Sequence, residues 1–150
     1  SRENNNKINR LHEKCLRILY DDYISSFESL LDKDGSVSIH NKNLQSLAIE
    51  MFKVANGMAP DIVSEIFRQK NKQPYLLRQN LLFYASRIKS VYNGTESISF
   101  LGPKVWELVP NSMREIQSLE IFKKEIKKWV PQNCPCRLCK TYISRVRFIE

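Results

Sequence analysis

Apolar residues recur along much of the chain at spacings of three and four, the signature of helices that each bury one face. In the first such stretch, about Asn5 to Tyr20, Ile8, Leu11, Cys15 and Ile18 form a stripe that Leu16 and Leu19 widen. Lys7, Arg10, Lys14 and Arg17 repeat the spacing on another face, and Glu13 precedes Arg17 in the favourable i,i+4 order. Ser25 and Glu28 have capping-box spacing ahead of Phe27, Leu30 and Leu31, which predicts a short helix stopping near Asp34-Gly35. Residues 36–39 are expected to be briefly extended. A third helix is predicted over about Asn41–Asn56, with Leu44, Leu47, Ala48, Met51, Val54 and Ala55 on one face. Gly57 and Pro60 end it. A further short helix after Pro60 is expected to bury Ile62, Val63, Ile66 and Phe67.

The pattern then lapses. Arg68 to Asn80 is polar and aperiodic and contains Pro74, as a loop would be. Arg87 to Tyr92 alternates around Ile88 before Asn93-Gly94, which fits one short β-hairpin. Between Ile98 and Val109 the Gly102-Pro103 pair predicts two helical pieces with a bend. Ser118 caps a last helix whose apolar positions are Leu119, Phe122, Ile126 and Trp129, and Pro131 ends it. The expected fold is therefore mainly α: a compact helical domain of about five or six helices over 1–130, followed by a basic, Cys-rich tail over 131–150.

Charge changes the picture at one end. The 150 residues include 24 Lys/Arg and 16 Asp/Glu, a formal +8. From Ile121 to Glu150 there are eight basic residues and two acidic ones, so the remainder of the chain is close to neutral. Lys123, Lys124, Lys127 and Lys128 line one side of the last helix, with Arg137 and Lys140 beyond them. A lysine face is ordinarily a solvated face. Next to a basic tail it is also a candidate phosphate-binding surface for RNA or DNA, driven by counterion release. The Lys7, Arg10, Lys14 and Arg17 stripe is a second candidate, diluted by neighbouring acids.

Catalytic signatures are missing. Tyr20-Asp21-Asp22 places the tyrosine directly against the aspartates, whereas the polymerase motif that holds catalytic Mg²⁺ has one residue between them. A two-metal site also needs further converging carboxylates. His12 and His40 belong to no nucleophile–base signature, and four glycines leave no phosphate-binding Gly-rich loop. Asn93-Gly94-Thr95 would be a glycosylation acceptor only in a secreted protein. No apolar run approaches the ~20 residues needed to span a bilayer, so no membrane partner is expected.

Cys134, Cys136 and Cys139 crowd into six residues and could ligate a structural Zn²⁺. A closed tetrahedron needs a fourth ligand, and Cys15 or, one turn away, His12 could supply it. The other reading keeps Cys15 as a small core residue among Leu11, Ile18 and Leu19, with the tail cysteines reduced and unliganded.

Several strings, taken in order, carry a resemblance. They are Asn-Lys-Ile-Asn-Arg-Leu-His-Glu-Lys-Cys-Leu-Arg-Ile-Leu-Tyr (6–20), Ser-Ser-Phe-Glu-Ser-Leu-Leu (25–31), Ser-Ile-His-Asn-Lys-Asn-Leu-Gln-Ser-Leu-Ala-Ile-Glu-Met-Phe-Lys-Val (38–54) and Asn-Gly-Met-Ala-Pro (56–60). Gly-Thr-Glu-Ser-Ile-Ser-Phe-Leu-Gly-Pro-Lys-Val-Trp-Glu-Leu-Val-Pro (94–110), Phe-Lys-Lys-Glu-Ile-Lys-Lys-Trp (122–129) and Cys-Pro-Cys-Arg-Leu-Cys-Lys (134–140) complete the set. Together they resemble the region after the palm of LINE-type, non-long-terminal-repeat retrotransposon reverse transcriptases.

The resemblance implies a non-catalytic thumb-and-tail piece of an RNA-directed DNA polymerase. The opening on Ser1 rather than Met fits such a piece. Its partners would be the polymerase core and RNA template or DNA target, with Mg²⁺ confined to the parent's palm. The setting would be intracellular, with nuclear access if the element is active. Relatives in that family often end in a Cys-Cys-His-Cys zinc knuckle; here no histidine follows Cys139. The alternative is a helical module that braces the polymerase or binds protein without touching nucleic acid.

Overall fold

The computed structural model describes residues 2–67, 83, 97–131 and 134. Among them are seven α-helices and no β-strand: α1 (Arg2–Tyr20), α2 (Phe27–Asp34), α3 (Ile39–Ala55), α4 (Asp61–Ile66), α5 (Ile98–Leu108), α6 (Asn111–Arg114) and α7 (Leu119–Ile126). The fold is mainly α, as the periodicity predicts. The expected loop over 68–80 and the hairpin around Arg87–Tyr92 lie outside the described residues. Two compact units divide the chain, Ser1–Leu44 and Gln45–Glu150, with the division inside α3.

The first unit is held by a small aliphatic cluster. Leu16 of α1 and Leu30 and Leu31 of α2 are buried, with Tyr20 and Phe27 packed against them. The cap of α2 falls one residue later than the expected Ser25: Ser26 is extended and its hydroxyl accepts from the Ser29 N–H at 3.2 Å. Gly35 ends α2 at φ 68°, a left-handed turn that glycine adopts without a Cβ penalty. α3 starts at Ile39, earlier than expected, because Ser38 and Asn9 meet its free amides. The Ser38 hydroxyl accepts from Asn41 N–H at 3.4 Å, and Asn9 Oδ1 accepts from Ile39 N–H at 3.2 Å.

The second unit is built on aromatic rings. Phe52 of α3 stacks on Phe122 of α7, with ring centroids 4.3 Å apart. Trp106 of α5 packs against Phe122 at 6.2 Å and meets Phe83 edge-on at 6.4 Å, and Phe83 in turn meets Phe67. Offset and edge-to-face pairs of this kind add to the area each ring buries. Around them Ala48, Met51, Val54, Val105, Val109 and Ile126 are buried.

Two expectations are corrected in this unit. α5 is one helix through Gly102-Pro103, not two pieces. Proline forfeits a helical hydrogen bond, but Pro103 is fully buried, and Gly102 lets the helix approach Phe67 and Met51 so closely that an added Cβ would stand 2.6 Å from the ring. Close packing outweighs the local break. Of the four residues expected inside here, only Phe67, the C-cap that follows α4, is buried; Ile62 and Ile66 are exposed and Val63 is half-buried.

Candidate nucleic-acid interface

α7 takes its orientation from its apolar side. Ser118 is extended ahead of the helix, its carbonyl accepting from the Phe122 N–H at 3.0 Å. Phe122 and Ile126 are completely buried and Trp129 nearly so. With those three side chains held inside, Lys123, Lys124, Lys127 and Lys128 are all exposed. The helix ends sooner than Pro131 would require, at Ile126, so Lys127 and Lys128 occupy the turn that follows.

That turn is fastened by a residue the sequence pattern does not single out. Gln45 is buried on α3, and its Nε2 donates to the carbonyls of Lys127 (3.1 Å) and Trp129 (2.8 Å). Lys127 is the C-cap of α7 and Trp129 lies two residues beyond it, so one buried amide that donates to both carbonyls fixes the backbone beneath the lysines. The available signal was a glutamine between Leu44 and Leu47 on an otherwise apolar face. A buried polar side chain there requires partners.

Electrostatically the α7 lysines are little engaged. Lys128 pairs with Glu125 at 3.0 Å, while Lys123, Lys124 and Lys127 form no ion pair among the described residues. Arg137 and Lys140 lie outside the described residues.

The α1 cations belong to the other unit and are more committed. Lys7 pairs with Glu3 at 3.0 Å. Arg17 is half-buried, held by Glu13 at 2.6 Å and donating to the Asp22 carbonyl at 3.2 Å. Arg10 and Lys14 are exposed and make no ion pair among the described residues.

The Tyr20-Asp21-Asp22 carboxylates have local partners. Asp22 Oδ1 accepts from the Ser25 N–H at 2.9 Å and the Ile24 N–H at 3.2 Å. The Ser25 backbone N–H, foremost, and then its hydroxyl hold the Asp22 carboxyl below the usual aspartate value. Tyr20 donates to Asp34 at 3.1 Å, and that hydrogen bond, ahead of the other causes, raises the Tyr20 phenol above its ordinary value. Lys33 lies over the Tyr20 ring, 4.7 Å from its centroid.

Of the cysteines, Cys15 is exposed and Cys134 half-buried; Cys136 and Cys139 fall outside the described residues. The reading of Cys15 as a core residue is overturned. It is exposed together with Leu11, Ile18 and Leu19, because α1 turns Leu16 rather than that stripe towards α2. His12 is half-buried, its ring edge-on to Phe27 at 5.8 Å. No group of three His, Cys, Asp or Glu side chains among the described residues could hold a metal ion. None of the described helices is long and apolar enough to cross a membrane.

No family model, curated protein or solved structure matches this chain.

Proposed function

We propose that this chain is a non-catalytic C-terminal domain of an RNA-directed DNA polymerase from a mobile element, and that it helps hold RNA template or DNA target by its backbone. One observation carries the binding role: the α7 lysines project from a segment whose apolar side is buried and whose terminal turn is pinned by Gln45. Cations on a preorganised backbone engage phosphates with less ordering cost than cations on a loose tail. Such contacts read no base edges, so they would hold any sequence. The attribution to a polymerase rests on the ordered strings quoted above, and the gene ahead of Ser1 should encode a palm with a tyrosine–x–Asp–Asp motif.

The test reverses charge where no ion pair competes. Lys123→Glu with Lys127→Glu should weaken binding to unrelated RNA and duplex sequences alike. It should also flatten the salt dependence, by ~0.9 in log–log slope for each duplex phosphate that the variant no longer neutralises. Because lysines near a helix C-terminus also favour the helix by ~0.3–1 kcal/mol, the variant's folding is checked by circular dichroism. A folded variant with undiminished affinity for both ligands would overturn the reading.

A further inference from the structure

α1 presents its apolar residues away from the core of its own unit. Leu11 is 64% exposed, Ile18 72% and Leu19 68%, with Ile8 and Cys15 exposed beside them. At 3.6 residues per turn these five positions fall within an arc of about 100°. The face that packs within the unit lies about a third of a turn away and is mostly polar. There Leu16 is buried, Asn9 caps α3, His12 meets Phe27, and Tyr20 packs on Leu30 and Leu31. A helix that spends polar residues on its inner contacts and leaves an unbroken apolar arc outside has a second surface to fill.

The spacing says what shape fills it. Ile8, Leu11, Cys15 and Ile18 step by three, four and three, the a and d positions of a heptad seam, over about 15 Å of helix. The charges say what chemistry. Lys7 and Lys14 occupy the g positions bordering the seam, and His12 and Leu19 the e positions. Arg10 lies next to Lys14, and neither Arg10 nor Lys14 has an acidic partner among the described residues. A second copy of the chain fits poorly. Parallel pairing sets Lys7 against His12 and Lys14 against Leu19; antiparallel pairing sets Lys7 against Lys14. Neither register gives an attractive pair.

We propose that the outer face of α1 is a docking surface for an acidic amphipathic helix of another protein, seated along Ile8, Leu11, Cys15 and Ile18 with its carboxylates against Lys7, Arg10 and Lys14. This surface does not depend on α7 binding nucleic acid.

The test uses the full chain and a synthetic three-heptad peptide with leucine at a and d and glutamate at e and g. A matched peptide carrying lysine at e and g is the control. Bulky-maleimide alkylation of Cys15, located by peptide mass mapping, is the readout. In the chain alone Cys15 should react readily, and the protein should sediment as a monomer. The glutamate peptide should slow alkylation at Cys15 at least tenfold and the lysine peptide should not. Leu11→Glu with Ile18→Glu should abolish the protection without changing the melting temperature.

Four results would each overturn the proposal. A concentration-dependent dimer would make the face a self-interface. An unreactive Cys15 in the monomer, with a lowered melting temperature in the variant, would mean the chain covers its own stripe. Equal protection by the two peptides would remove the charge choice. Binding of the glutamate peptide without protection of Cys15 would place it on another basic surface.

Discussion

α1 and α3 are of similar length and both carry apolar residues at helical spacing, yet they use them in opposite ways. α3 turns Leu44, Ala48, Met51, Phe52 and Val54 inside and recruits Gln45 to hold another segment. α1 turns only Leu16 inside and leaves five other apolar positions in solvent. Periodicity announces a helix and an apolar face; it does not say whether the surface meant for that face lies in the same chain. The second unit has aromatic rings enough to close around its helices. The first has Leu16, Leu30 and Leu31.

The largest effect that would break this contrast lies in the aromatic core. Phe122 packs on both Phe52 and Trp106, so Phe122→Ala should cost about 3–5 kcal/mol of unfolding free energy. Gly102→Ala, which drives a methyl against Phe67 and Met51, should cost about 1–3 kcal/mol. Urea unfolding followed by tryptophan fluorescence checks both. A loss under 1 kcal/mol for Phe122→Ala would show that the rings do not form one packed unit.

Next comes a pair of leucines on one helix. Leu16→Ala removes a buried side chain and should cost about 2–5 kcal/mol. Leu11→Ala, at an equivalent place in the sequence pattern, should change stability by no more than about 0.5 kcal/mol. Equal losses would mean that the outer stripe of α1 is covered within the chain. The same experiment, read by circular dichroism at the melting transition, thus sharpens the case for an external partner.

How much of this was legible in the sequence differs by element. The stops at Gly35 and Gly57 were legible because only a left-handed turn follows each helix there, at φ 68° and 67°. The buried side of α7 was legible because Phe122, Ile126 and Trp129 keep helical spacing. The unbroken α5 was not, since Pro103 argues locally for a break and only the approach of Phe67 and Met51 explains its tolerance. Nor was α6, whose four residues are too short for any period to register. In the candidate interface the lysines could be read directly. Gln45, which fixes the turn beneath two of them, could not, because its partners are carbonyls more than eighty positions away.

The smallest predicted effect concerns the turn joining α1 to α2, and it depends on pH. Asp21 adopts φ 48° at the end of α1, and Asp22 then accepts the Ile24 and Ser25 amides, so one carboxylate organises the reversal of the chain. The Ser25 N–H, chiefly, holds the folded Asp22 carboxyl below its ordinary value, which is the value it regains on unfolding. A depressed folded pKa means that the unfolded state binds the proton more readily. The turn's ionic contribution is therefore complete above the ordinary aspartate range and is lost as pH falls through the lowered folded value. Asp22→Asn keeps an oxygen that can accept the same two amides but cannot ionise. Wild type should exceed Asp22→Asn in melting temperature near neutrality, with the gap closing in acid, whereas Asp22→Ala should be the least stable at neutral pH. Because Asp22 is only half-buried, these shifts should be smaller than those of any core substitution above. Melting curves recorded from neutral to strongly acidic solution would decide it: a wild-type advantage over Asp22→Asn that does not shrink with falling pH would show that the turn owes nothing to the ionised group.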